Sequence, residues 1–272
     1  MDDCFTIILT FLDVDTLMTC FLVNKKFYQL SHQDCLWQHH LQPTWFPCQK
    51  DVFNHYQKSF QCQQFIKTDQ FQFIEKLDLS HHKISYLPPA LNMLKNLKRI
   101  DLSHNLITTL PPEWSMPLQT ISLSHNDITT LPAEWSMPLQ WIDLNHNKIT
   151  TLPPEWSMPL QWMNLSDNEI TTLPPKWSVM PLKTINLSDN HITTLPVEWS
   201  VMPLQTIYLS DNNITTLPPE WSVMPLQWID LSDNQITTLP AEWSVMPLQI
   251  IDLSHNDISA LPLNGLSCPY NG

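Results

Sequence analysis

The chain repeats itself at a nearly fixed period. Leu97, Leu118, Leu139 and Leu160 lie 21 residues apart, and Leu160, Leu182, Leu204, Leu226 and Leu248 lie 22 apart. Ile74 opens an earlier unit of 23 residues, making nine in all. A typical unit, starting at Leu226, reads LQWIDLSDNQITTLPAEWSVMP. Units this short cannot enclose an apolar core alone, so each must stack on its neighbours. A long coiled coil would also be periodic, but every unit carries proline, which breaks a continuous helix.

Within a unit the pattern assigns roles by column. Ile229 and Leu231 alternate with Trp228, Asp230 and Ser232. Alternation of this kind predicts a short strand with one buried and one exposed face. Parallel strands from successive units then stack about 4.8 Å apart. Asn105, Asn126, Asn147, Asn168, Asn190, Asn212, Asn234 and Asn256 form one column, interrupted only in the first unit, where His82 stands. An inward-folded turn leaves amides and carbonyls unpaired, and an Asn amide supplies both donors and an acceptor. The column is therefore expected to be structural.

The far side of each unit is bracketed by prolines, as at Pro132 and Pro138. That leaves room for extended chain or one 3₁₀-like turn, not a regular helix. Trp114, Trp135, Trp156, Trp177, Trp199, Trp221 and Trp243 share a column there, with Leu91 in the first unit. Exchange with Leu points to burial rather than to an aromatic ligand cage. Each buried indole would contribute at most about 4–6 kcal/mol.

The columns resemble the leucine-rich-repeat pattern LxxLxLxxNxLxxL over residues 74–261. The resemblance implies an α+β repeat protein: a solenoid with a parallel concave sheet and an extended or 3₁₀ convex side. Its units would occupy 74–264, with a fraying tail at 265–272.

Residues 1–45 lack the repeat and read as short helices. Ile8-Leu9, Leu12-Asp13, the run LVNKKF from Leu22 to Phe27, and Leu36-Trp37 resemble, in order, the elements of an F-box. Asn24 and Phe27 replace the usual Cys and Trp, and the opening Leu-Pro is missing. The resemblance implies a small helical F-box-like domain that docks a Skp-family adaptor and cullin complex. Phe5, Ile8, Leu9, Leu12, Leu17, Leu22, Val23, Phe27, Leu36 and Trp37 would make that contact. Residues 46–73 would form a connecting helix and N-terminal cap. The alternative is that all these helices merely cap the array, which needs some cap. Pairing such a box with uniform repeats is similar to proteins of large amoeba-infecting viruses, which implies a host cytoplasm.

Charge narrows the partners. Residues 110–272 hold three basic and sixteen acidic residues, accounting for the whole net charge of -13. So acidic a surface repels phosphate backbones, which excludes nucleic acid and favours neutral or basic proteins. The start MDDCF has no basic n-region, and Asp13 and Asp15 interrupt the apolar run from Phe5 to Val23. Neither a signal peptide nor a membrane helix is expected, and the six cysteines lack metal-motif spacing, so a reducing cytoplasm fits. No Ser/His/Asp arrangement or Gly-rich phosphate loop is visible, and no cofactor is implied. Short repeats with extended outer segments are similar to those of bacterial-type repeat ubiquitin ligases, but those need a separate catalytic domain. The expected role is therefore binding, not catalysis.

Three exposed columns vary while the scaffold columns do not. The first runs Lys76, Arg99, Thr120, Trp141, Trp162, Thr184, Thr206, Trp228, Ile250. The second runs Asp78, Asp101, Ser122, Asp143, Asn164, Asn186, Tyr208, Asp230, Asp252. From these, Trp141, Asp143, Trp162, Tyr208, Trp228, Asp230 and Asp252 are the candidate partner-binding residues on the concave face, since aromatics concentrate at interface centres. The third column has His81, His104, His125 and His146, then Asp167, Asp189, Asp211 and Asp233, then His255. A linear ladder lacks the convergence a metal site requires, so it reads as a solvated rim.

Overall fold

The computed structural model describes residues 74–87, 91–92 and 94–259, together with the backbone of 270–271. The adaptor-docking residues expected between Phe5 and Trp37, the connecting segment and all six cysteines lie outside the described residues. The chain divides into two compact units, one containing Leu87–Leu97 and the other Lys76–Tyr86 with Lys98 onward.

In the second unit, each repeat gives one strand of three residues. These are β1 (Lys76–Asp78), β2 (Arg99–Asp101), β3 (Thr120–Ser122), β4 (Trp141–Asp143), β5 (Trp162–Asn164), β6 (Thr184–Asn186), β7 (Thr206–Tyr208), β8 (Trp228–Asp230) and β9 (Ile250–Asp252). They form one parallel sheet in sequence order. The middle residue of every strand is buried and its neighbours are not, as the alternation predicts. Ile229 and Leu231 are fully enclosed. The backbone of Tyr270–Asn271 adds β10 beside β9, inside the segment expected to fray.

The strands are short because the chain turns inward just after them, and two devices hold that turn. The first is the Asn column. Asn126 Nδ2 donates to the carbonyls of Leu102 and Leu123, both at 3.0 Å, and its Oδ1 accepts from the Ile107 amide at 3.0 Å. Asn190 repeats this with Leu165, Leu187 and Ile170. One side chain thus ties each unit to the one before it.

The second device was not legible as such. His81, His104, His125, His146, Asp167, Asp189, Asp211, Asp233 and His255 all have φ between 52° and 60°. Left-handed backbone strains most residues, while short polar side chains such as Asp, Asn and His tolerate it. The rim column is therefore restricted first by backbone geometry.

The far side packs on tryptophan. All seven column indoles are buried, and neighbours stack face to face at 5.9–6.5 Å. Trp177, Trp199, Trp221 and Trp243 lie in five-residue 3₁₀ turns, Pro175–Val179, Val197–Val201, Pro219–Val223 and Ala241–Val245. The extra residue of the 22-residue repeats is the Val that ends each turn, and it lets the next amide close the turn, as Met202 N–H does on the Trp199 carbonyl at 2.9 Å. The 21-residue repeats lack that Val and make only a looser turn at the same place. Within the second unit, Trp141 and Trp162 on the strands stack at 4.6 Å, closer than any pair of core indoles.

Candidate functional site

All seven candidate partner-binding residues fall on strands, on the sheet face turned away from the core. Register sets who meets whom. Trp141 pairs with Trp162 across β4 and β5, and their rings lie 4° from parallel. Trp162 pairs next with Thr184, Thr184 with Thr206, and Thr206 with Trp228. Trp228 is 40% exposed and packs at a tilt against Tyr208, 6.4 Å between centroids. In the first column Trp162 and Trp228 are thus separated by two threonines, while Tyr208, on the same strand as Thr206, packs against Trp228.

The second column holds the strand ends. Asp230 Oδ1 accepts from the Ser232 amide at 3.0 Å and its hydroxyl at 2.7 Å. Asp252 does the same for Ser254, and Asp143 accepts from the Asn145 amide. Each of these carboxylates commits an oxygen to the fold, and Asp143 also shares a hydrogen bond with the Asn164 side chain. Tyr208 cannot do this task, and there Ser210 donates to the Ser188 hydroxyl at 2.9 Å instead. Burial pushes the Asp143 carboxyl above the ordinary range against the lowering effect of the Asn145 amide, and Asp101 adds to the rise.

The third column runs along the edge made by the C-terminal ends of the strands. His81, His104 and His125 stack at 4.2 Å with nearly parallel rings, and His146 closes on His125 at the same distance but tilted. Burial lowers the His125 pKa, and neighbouring His146 and His104 lower it further. His146 Nδ1 meets Asp167 at 2.9 Å, and His255 Nδ1 meets Asp233 at 3.4 Å. Asp189 is raised by burial and then by Asp167 and Asp211 on either side. Among the described residues, no group of His, Cys, Asp and Glu converges as a metal site would. No helix among them is long and apolar enough to cross a membrane.

A family profile described as Leucine rich repeat matches residues 74–128, 117–161, 137–192 and 202–258. The chain belongs to the leucine-rich-repeat family. Among solved structures, the APL1 leucine-rich repeat domain superposes with a TM-score of 0.60 at 21% identity, covering 75% of this chain and 56% of that one. A leucine-rich repeat protein from Bacteroides thetaiotaomicron VPI-5482 follows with a TM-score of 0.50 at 19% identity, covering 62% of this chain and 26% of that one. At these identities the likeness is one of fold. The chain thus matches only about half, and about a quarter, of the lengths of these two proteins. No curated protein matches.

Two features of this leucine-rich-repeat array escaped the sequence. The threonine gap in the aromatic column follows from inter-strand register, although the order Trp, Thr, Thr, Trp was already visible. The indole Nε1 partners are carbonyls one repeat back, as in Trp135 to Pro111 at 2.9 Å and Trp243 to Pro218 at 3.0 Å. A buried indole N–H usually finds an acceptor, although Trp114 Nε1 has none among the described residues, so the recurring proline one repeat back was the available signal.

Proposed function

We propose that this leucine-rich-repeat chain is a protein-binding module without chemistry of its own, and that its sheet face holds the partner. The observation that carries this reading is the set Trp141, Trp162, Tyr208 and Trp228 on solvent-facing strand positions of an otherwise well-sealed array. Aromatic side chains gathered on the outer face of a sheet match the composition of interface centres.

The finer reading is that the chain serves in the cytoplasm as substrate receptor of a cullin-type ubiquitin ligase. The F-box-like order of Ile8-Leu9, Leu12-Asp13, Leu22 to Phe27 and Leu36-Trp37 supports it. The N-terminal segment would dock a Skp-family adaptor, and the array would position the substrate near the ligase's catalytic components.

Affinity capture of the full chain from cells tests both levels. Capture of a Skp-family adaptor that is lost in the Leu12→Glu and Trp37→Ala variants supports the receptor role. Its absence from the wild-type capture leaves an interaction scaffold. Substrate proteins should be lost from the Trp162→Ala and Trp228→Ala variants while the adaptor stays. Captured proteins indifferent to both substitutions would remove the sheet face as the binding surface.

A further inference from the structure

Among the described residues seven large apolar side chains are exposed, and the sheet face supplies only one of them, Trp228. Five are valines on the four consecutive 3₁₀ turns. Val179, Val201, Val223 and Val245 end those turns and stand 72–78% exposed. Closing a turn needs no apolar side chain there, because the bond runs between backbone groups, as from Met224 N–H to the Trp221 carbonyl at 2.9 Å. A single exposed valine would need no explanation, but four in one line form a patch.

The four turns have the same length and the same extended backbone on either side, so their side chains recur in register. The indoles inside them stack at 6.4–6.5 Å, and the valines follow that pitch. Residues three apart in a 3₁₀ turn eclipse one another. Val201 is therefore in line with Glu198, Val223 with Glu220 and Val245 with Glu242, all of them exposed. At the first turn Val179 is in line with Lys176 instead. Glu198, Glu220 and Glu242 have no ion pair among the described residues. The turns thus present two parallel rows, one apolar and the other anionic over its last three members.

We infer that these rows dock an amphipathic helix of a partner protein, with an apolar ridge flanked by lysine or arginine. Side chains four apart on an α-helix rise about 6.0 Å per step, and slightly more along their inclined ridge, which matches the pitch of the turns. The neighbouring ridge of the same helix lies about 5–6 Å away and places cations along the glutamates. An extended segment offers only one row of side chains to a face, so it could serve the valines or the glutamates but not both. A second copy of this chain would bring its own glutamates to the contact, and like charges would oppose it. The surface lies on the side of the array opposite the sheet, so it is separate from the sheet face proposed above.

The array contains its own comparison. The 21-residue repeats keep the glutamate, at Glu134 and Glu155, but lack the valine that ends the turn. The test measures anisotropy of rhodamine-labelled, lactam-stapled helical peptides, each about 18 residues long, on the full chain at moderate salt. One peptide has leucine at every fourth position and lysine three residues after each leucine. A second has the same composition with its leucines spread around the helix, and a third has glutamate for lysine. The first should bind at least about fivefold more tightly than either of the others. Val201→Thr with Val223→Thr should weaken it about fivefold, as should Glu198→Gln with Glu220→Gln. Glu134→Gln with Glu155→Gln removes the same charge where no valine stands, and should change binding less than about twofold.

Equal losses from both glutamate pairs would reduce the effect to the diffuse acidic field and overturn the inference. Equal binding of the ordered and spread peptides would overturn it as well. Binding lost in Trp162→Ala with Trp228→Ala but kept in the valine variant would assign the helix to the sheet face, against this inference and in favour of the proposed function. Sedimentation of the chain alone as a dimer that Val201→Thr with Val223→Thr dissociates would show a second copy covering the valines instead.

Discussion

Trp199 Nε1 donates to the carbonyl of Pro174 at 3.0 Å, 25 positions earlier in the chain. The same bond links Trp177 to Pro153 and Trp221 to Pro196. Each of these indoles is thus both a piece of core and a tie between consecutive repeats. Repeat arrays derive their cooperativity from such nearest-neighbour terms.

Trp199→Phe should therefore cost more than its lost area. The ring is kept in part, but the Pro174 carbonyl is left buried without its donor. A loss of about 2–3 kcal/mol is expected, against about 3–5 for Trp199→Ala. Urea unfolding measures both, and a Phe variant as stable as wild type would show the bond to be incidental.

Asn190→Leu is nearly isosteric and more apolar, yet it should destabilise strongly. It orphans the Ile170 amide and the Leu165 and Leu187 carbonyls together. At about 1–3 kcal/mol per buried orphan, softened by relaxation, a loss of at least about 3 kcal/mol is expected. Hydrogen exchange at the Ile170 amide reports the loss locally.

The rim column gives a test that separates backbone from side chain. Asp211 has φ 54°, so Asp211→Val should cost about 1–2 kcal/mol although the side chain is exposed. Asp211→Asn keeps the tolerance for left-handed backbone and lowers the repulsion, and should not destabilise. Thermal melts of the two variants, if indistinguishable, would remove the conformational explanation.

Stability should fall on mild acidification. His125 has its pKa depressed in the fold, so the unfolded chain binds its proton more readily. Its contribution is present above the unfolded value of about 6.5 and is lost as pH drops through the folded one. His125→Asn should flatten that part of the curve. Asp143 and Asp189 act oppositely, because their pKa values are raised. Their contribution is present below about 3.8 and is lost as pH rises through the folded values. Asp189→Asn should accordingly raise stability at neutral pH. Denaturant midpoints across the pH range measure all three effects.

The valines that end the 3₁₀ turns are 72–78% exposed at Val179, Val201, Val223 and Val245. Val223→Thr should change stability by less than about 0.5 kcal/mol. Deleting Val223 should cost clearly more, because Met224 N–H would lose its place against the Trp221 carbonyl, now 2.9 Å away.

Much of this protein was legible before any coordinates. The period, the strand alternation around Ile229 and Leu231, the structural Asn column and the buried tryptophans each rest on a few neighbouring residues and a fixed spacing. Near-copies of one unit must pack alike, so a role inferred for one column member extends to all. The same uniformity concealed the rim, where His and Asp looked like free polar choices until their positive φ values supplied a backbone reason.

The sequence by itself determined that the chain stacks repeats, which face of each strand is dry, and that the exposed columns vary. Only the tertiary structure decided which exposed residues become neighbours. Trp162, Thr184, Thr206 and Trp228 are 22 residues apart along the chain but one strand step apart in the sheet. The stacking of Trp141 on Trp162, and the absence of an ion pair at Asp189 and Asp211 among the described residues, arise from inter-strand register and ion-pair distance. Both quantities exist only once separate repeats have been brought into contact.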